Sequence, residues 1–95
     1  MSVVNKKEFL EALLSITTEK ELSSFLSAMM TPQEIDDLPK RMAIFKLLSQ
    51  GVPQHTIARR LQVGVATVTR GSQELQRGNI QKTAWWQNLT SQARD

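Results

Sequence analysis

Cysteine is absent from the 95 residues, which excludes a disulfide framework and any thiolate metal site. A reducing, cytoplasmic setting is compatible with that composition. Histidine is scarce too: His55 stands alone, so no metal-ligand spacing exists and no Ser/His/Asp arrangement can be assembled. Asp36 and Asp37 are adjacent carboxylates, but neighbours on a helix point about 100° apart and do not share a site. They read as decoration of a solvated face. Neither catalysis nor metal binding is expected. No apolar run is long enough to span a bilayer. The opening MSVVNKKEFLEALL mixes Glu8 and Glu11 into helically spaced apolar residues, unlike a cleavable signal. No internal repeat or low-complexity segment appears. The length suits one domain with a modest core, for which dimerisation is a natural source of extra buried area.

Charge is present but unevenly spread. Residues 1–39 carry three basic and seven acidic side chains, for −4. Residues 40–77 carry Lys40, Arg41, Lys46, Arg59, Arg60, Arg70 and Arg77 against Glu74 alone, for +6. A basic segment of this kind attracts phosphate and speeds encounter with nucleic acid; the bland alternative is a solvated basic face.

Helix starts punctuate the acidic part. Asn5 with Glu8 makes a capping-box-like start, ahead of an apolar stripe of Phe9, Leu10, Leu13 and Leu14. Thr18 to Glu21 is a second start, and Leu22, Phe25, Leu26 and Met29 then recur at helical spacing. These residues read either as intramolecular core or as a dimer interface. Thr31-Pro32-Gln33-Glu34 is a third start, opening a helix to about Gln50 that stops at Gly51, with Ile35, Leu38, Met42, Phe45 and Leu48 inward. Pro39 interrupts it. Either the helix kinks there, which is the expectation, or residues 31–37 form a separate turn and the long helix starts near Leu38.

Residues 53–77, PQHTIARRLQVGVATVTRGSQELQR, read as two short helices meeting at a turn around Gln62-Val63-Gly64. Ile57, Ala58 and Leu61 form the buried stripe of the first, and the small Ala58 lets the helices cross closely. Val65, Val68 and Leu75 form that of the second. Ala66, Thr69, Arg70, Gln73 and Arg77 fall on the opposite face, the one suited to a DNA major groove. Gly64 takes the N-cap position of the second helix and Gly78 ends it. A last helix over residues 80–91 is carried by Ile80, Ala84, Trp85 and Leu89, with residues 90–95 polar and prone to fray. Of the tandem Trp85-Trp86, one is expected to pack and the other to lie near the surface.

The runs MMTPQEIDDLPKRMAIFKLL and GVATVTRGSQEL resemble the bacterial Trp repressor family over residues 26–89. The ATVTRGS string at 66–72 is the most specific part, together with the preceding M-T-P helix start. The resemblance implies an all-α, intertwined homodimer of six helices per chain, with residues 1–50 as dimerisation helices, 53–77 as the helix-turn-helix and 80–91 as the C-terminal helix. It implies a double-stranded DNA operator as partner, L-tryptophan as corepressor in place of any cofactor, and a cytoplasmic, nucleoid-associated site of action.

By that resemblance the corepressor indole lies between Arg41 and Arg70, one from each subunit. Carbonyls at Ala28 and Met30 receive its ammonium group. Thr31 and Arg70 hold its carboxylate, Gly71 allows close approach, and Phe45 lines the pocket. Guanidinium planes stack on aromatic faces and pair with carboxylates, and a helix C-terminus favours a cation. Without the resemblance, Arg41 reads as a solvated or ion-paired side chain and Arg70 as a phosphate contact. The DNA-facing positions carry over as Gln54, His55, Ala58, Arg59, Gly64, Val65, Ala66, Thr67 and Thr69, with Gln54 and Thr67 as phosphate contacts.

Some positions depart from the family. Glu74 stands where a serine is common; a carboxylate there either repels the corepressor carboxylate or accepts from its ammonium or indole N–H. His55 replaces a side chain that reaches guanine, Pro39 replaces a better helix former, and the link after Gly51 is one residue shorter. The leading expectation is a tryptophan-gated repressor. The alternatives are a constitutive or differently liganded DNA-binding protein of the same fold, and a helical protein-interaction adaptor, against which the +6 segment argues.

Overall fold

The computed structural model describes residues 3–92, which form α1 (Lys6–Ser15), α2 (Glu19–Met29), α3 (Pro32–Ser49), α4 (Gln54–Leu61), α5 (Val65–Arg77), a 3-10 turn at Ile80–Lys82, and α6 (Ala84–Gln92). No strand occurs among the described residues. The chain gathers into two compact units, one ending at Asp36 and the other beginning at Asp37, so the division falls inside α3.

In the first unit each helix is started by its own side chains. Asn5 Oδ1 accepts from the Glu8 N–H at 3.0 Å, and Thr18 Oγ1 accepts from the Glu21 N–H at 3.2 Å. At α3 the exchange is reciprocal: Thr31 Oγ1 accepts from the Glu34 N–H, and Glu34 Oε1 accepts from the Thr31 N–H at 2.9 Å. Each such cap contributes about 1 kcal/mol to holding its helix. The rings of Phe9 and Phe25 meet at 6.1 Å, tying α1 to α2. Yet neither helix has a fully buried residue, and Leu14 and Met29 are 82% and 60% exposed.

α3 continues through Pro39 as one helix, so the separate turn over 31–37 is not what forms. Its inward stripe is only partly the expected one, with Ile35, Phe45 and Leu48 half-buried as read. Ile44 is buried, with Leu47 and Leu48 packed beside it, whereas Leu38 and Met42 are exposed. The reason is geometric: Met42 precedes Ile44 by two residues, about 200° around the helix, so the two cannot face the same core. α3 is apolar on more than one side, and periodicity alone does not choose between them.

The second unit has a core of Ile44, Ile57 and Val68, each 0–2% exposed, with Ala58 at 6%. Two helix ends close against it by the same device. Gly51 at φ 80° lets its N–H reach the Leu48 carbonyl while the Val52 N–H reaches Leu47. Gln62 at φ 55° does likewise, its N–H reaching Arg59 while the Val63 N–H reaches Ala58. Both are the left-handed closure with a hydrophobic residue just beyond it. The left-handed residue of the turn is thus Gln62, not Gly64, which is extended and caps α5 as expected.

α5 packs on α3 at Gly71, where an added Cβ would stand 2.8 Å from Cγ2 of Ile44. Val65, expected inward, is exposed at the first position of α5, and Val68 one turn on is the buried one. At the end of the chain Ile80 belongs to the 3-10 turn, and α6 begins at Ala84. Thr83 Oγ1 accepts from the Trp86 N–H, and it is Trp86 that is buried while Trp85 is exposed. Of the polar end at 90–95, Thr90 lies within α6 and residues 93–95 lie outside the described residues.

Candidate nucleic-acid interface and effector cleft

A cleft of about 560 Å³ lies within the second unit. α3 supplies Asp37, Lys40, Arg41, Ile44 and Phe45; α5 supplies Thr67, Arg70, Gly71 and Glu74. Val63 and Gly64 close it from the turn. On α5 the spacing is i, i+3, i+4, i+7, one face of a helix, and the α3 set follows the same face from Asp37 to Ile44.

The floor is apolar and the rim charged. Ile44 and Phe45 form the floor, where the missing side chain of Gly71 brings α5 close. Phe45 is held in turn by Trp86, edge to face at 6.3 Å, and Trp86 by Trp85 at 6.2 Å. Around this floor stand Lys40, Arg41 and Arg70 with Asp37 and Glu74. Glu74 also accepts an ion pair from Arg77 at 3.3 Å. Arg77 is largely exposed and Glu74 about half exposed, so water screens the pair and it is worth at most about 1 kcal/mol. An aromatic body with a head carrying both charges is the chemistry such a cleft suits.

Five of the residues named for the ligand, Arg41, Phe45, Arg70, Gly71 and Glu74, therefore line one cleft. The resemblance drew the two arginines from different subunits; a single chain already brings both to the same cleft. The other three lie in the first unit: Ala28 in the last turn of α2, Met30 as its C-cap, and Thr31 in the capping exchange with Glu34. Gly71 has a packing role, because it is α3 that excludes a side chain there. Asp37 lines the cleft and is not solvated decoration. Lys40, Ile44 and Val63 were missed, although stepping three and four residues from Arg41 along α3 would have reached Asp37, Ile44 and Phe45.

Among the residues named for DNA, His55, Arg59, Gly64, Val65, Ala66 and Thr67 are exposed. Gln54 and Thr69 are half-buried and bonded to each other, the Thr69 hydroxyl donating to Gln54 Oε1 at 2.8 Å. Ala58 is a correction. It sits in the core with Ile57 and Val68, so its side chain has no path to a base or phosphate; its small size serves the helix crossing. Neither α4 nor α5 has a side-chain cap or an acidic residue in its first turn, which leaves the positive ends of both dipoles uncompensated. Gly64 and Thr67 belong to both surfaces: they line the cleft and form the start of α5.

Two helices joined by a three-residue turn, the second presenting small exposed side chains at an open N-terminus, define a helix-turn-helix protein. The model of the Trp repressor protein family matches residues 5–90. This chain belongs to the Trp repressor family, a regulatory DNA-binding family. It is 43% identical over 65 residues to a Trp operon repressor homolog of Aliivibrio fischeri (strain MJ11), covering 67% of this chain and 60% of that protein. A homolog of the same description from Vibrio atlanticus (strain LGP32) is 36% identical over 81 residues, covering 84% of this chain and 83% of the other. One from Actinobacillus succinogenes is 36% identical over 78 residues, covering 81% and 77%. The chain thus spans about 60% of the length of the Aliivibrio relatives it matches. No solved structure matches the chain.

Proposed function

We propose that this chain is a transcriptional repressor that binds an operator as an intertwined homodimer when L-tryptophan fills the cleft. The observation that carries the proposal is the sharing of Gly64 and Thr67 between the cleft and the start of α5. A ligand in the cleft bears directly on the residues that begin the recognition helix, so its occupancy biases how that helix is presented. The Trp repressor family is itself a standard instance of the helix-turn-helix docking geometry, in which two recognition helices enter successive turns of the major groove.

In this reading the indole stacks between the guanidinium planes of Arg41 and Arg70 above Phe45. Its carboxylate pairs with Arg70; the resemblance also assigns Thr31 to the carboxylate and the carbonyls at Ala28 and Met30 to the ammonium. Glu74 accepts from the ammonium or the indole N–H. The exposed apolar residues of α1 and α2, with Leu38 and Met42 of α3, are the surface that dimerisation covers. Arg59, Thr67 and Gln54 meet phosphates, while Val65, Ala66 and Thr69 face base edges, with His55 and Gly64 at the margin. The protein acts in the cytoplasm, at the nucleoid.

Calorimetry with L-tryptophan tests this. Heat of binding is expected for the unaltered chain and none for Arg70→Ala. Absence of heat at millimolar ligand, with DNA binding intact, removes the corepressor. A second reading then stands, a constitutive or differently liganded DNA-binding protein, favoured by the carboxylate of Glu74 in the cleft wall.

A further inference from the structure

Thr69 and Gln54 are fifteen residues apart in sequence and on different helices, yet the hydroxyl of one donates to the side-chain carbonyl of the other at 2.8 Å. A threonine hydroxyl has one proton, and here it is engaged. Toward a base edge Thr69 has lost its donor and keeps its methyl group. Its neighbours on the exposed start of α5, Val65 and Ala66, are also purely apolar. On the other side, an amide whose oxygen is fixed has its orientation fixed too, and Gln54 Nε2 retains its N–H donors. Gln54 is the first residue of α4, at a helix end with no side-chain cap.

We infer that Thr69 and Gln54 act as one recognition unit, in which Thr69 distinguishes thymine by methyl contact alone and its hydroxyl positions Gln54 to donate to a phosphate. This rests on the DNA-binding reading above and assigns a division of labour within it. Thr69 is the specificity-determining group, and Gln54 contributes affinity without sequence preference.

Two substitutions separate the halves of Thr69. Thr69→Ser keeps the hydroxyl and removes the methyl; Thr69→Val does the reverse. The probe is a palindromic duplex selected from a random pool by the unaltered protein, with each thymine replaced in turn by deoxyuridine. At one thymine per half-site the unaltered protein and Thr69→Val are expected to lose about fourfold in affinity, the worth of one buried methyl. Thr69→Ser is expected to be indifferent to that replacement. Thr69→Val should weaken binding to every duplex by a common factor, as should Gln54→Ala, and the double variant should be no weaker than either alone. Because Gln54 is uncharged, the salt dependence of binding should not change. Sensitivity of Thr69→Ser to deoxyuridine equal to that of the unaltered protein would overturn the inference, and so would additive losses in the double variant. If the unaltered protein selects no duplex at all, the DNA-binding reading itself falls, and this inference with it.

Discussion

The part of the chain before Asp37 and the helix-turn-helix solve opposite problems. The first has closed helix ends and open apolar sides: Asn5, Thr18 and Thr31 cap three helices, while Phe9, Leu14 and Met29 stay exposed. The second has a closed apolar side and open helix ends: Ile57 and Val68 are wholly buried, while α4 and α5 begin without a side-chain cap or a carboxylate. A helix whose sides are covered by tertiary packing does not need its cap for stability, so its first N–H groups can be left for another partner. A helix whose sides are uncovered depends on its cap and on whatever comes to cover it.

The largest expected effect follows from the closed side. Ile57→Ala should destabilise the second unit by about 2–5 kcal/mol, read by urea denaturation, because a fully buried side chain leaves a cavity that its neighbours fill only in part. Gly71→Ala should cost about 1–3 kcal/mol in the same assay, since the new Cβ meets Ile44 Cγ2 and Ile44 is too buried to move aside. A gain in stability would mean that helix propensity outweighs the clash. Gly64→Asp sharpens the comparison by closing an open end. Nothing lies within 4 Å of a Cβ there and the backbone is extended, so the chain should fold with a few tenths of a kcal/mol to spare. Its affinity for duplex DNA should nevertheless fall about tenfold, because the new carboxylate caps the first N–H groups of α5 and repels the phosphate proposed to meet nearby Thr67. Unchanged DNA affinity would break the link between open ends and function. The smallest effect is at the turn: Gln62→Gly should raise stability by about 0.5–1 kcal/mol, relieving the left-handed backbone of a residue with a Cβ.

Much of this was legible in the residues. Caps leave a local signature, so Asn5, Thr18 and Thr31 announced three helices, and the turn after Leu61 gave the boundaries of α4 and α5. What was not legible is long-range. α3 carries apolar residues on more than one side, and only the position of α5 makes Ile44 the buried one and leaves Met42 exposed. Trp85 and Trp86 are equivalent to any local rule; the edge contact with Phe45 decides between them. Ala58 satisfied two descriptions at once, a crossing residue and a DNA-facing one, and burial chose the first. That Gln62 takes the left-handed conformation has no local signature, since it carries a Cβ and nothing in its side chain marks it for positive φ.

The proposed coupling of the cleft to the start of α5 is tested most directly by the affinity of the protein for a self-selected duplex with and without saturating L-tryptophan. A gain of about tenfold or more on adding the amino acid is expected, within the usual range for coupled sites, and Arg70→Ala should abolish it. Equal affinity in its presence and absence would contradict the coupling.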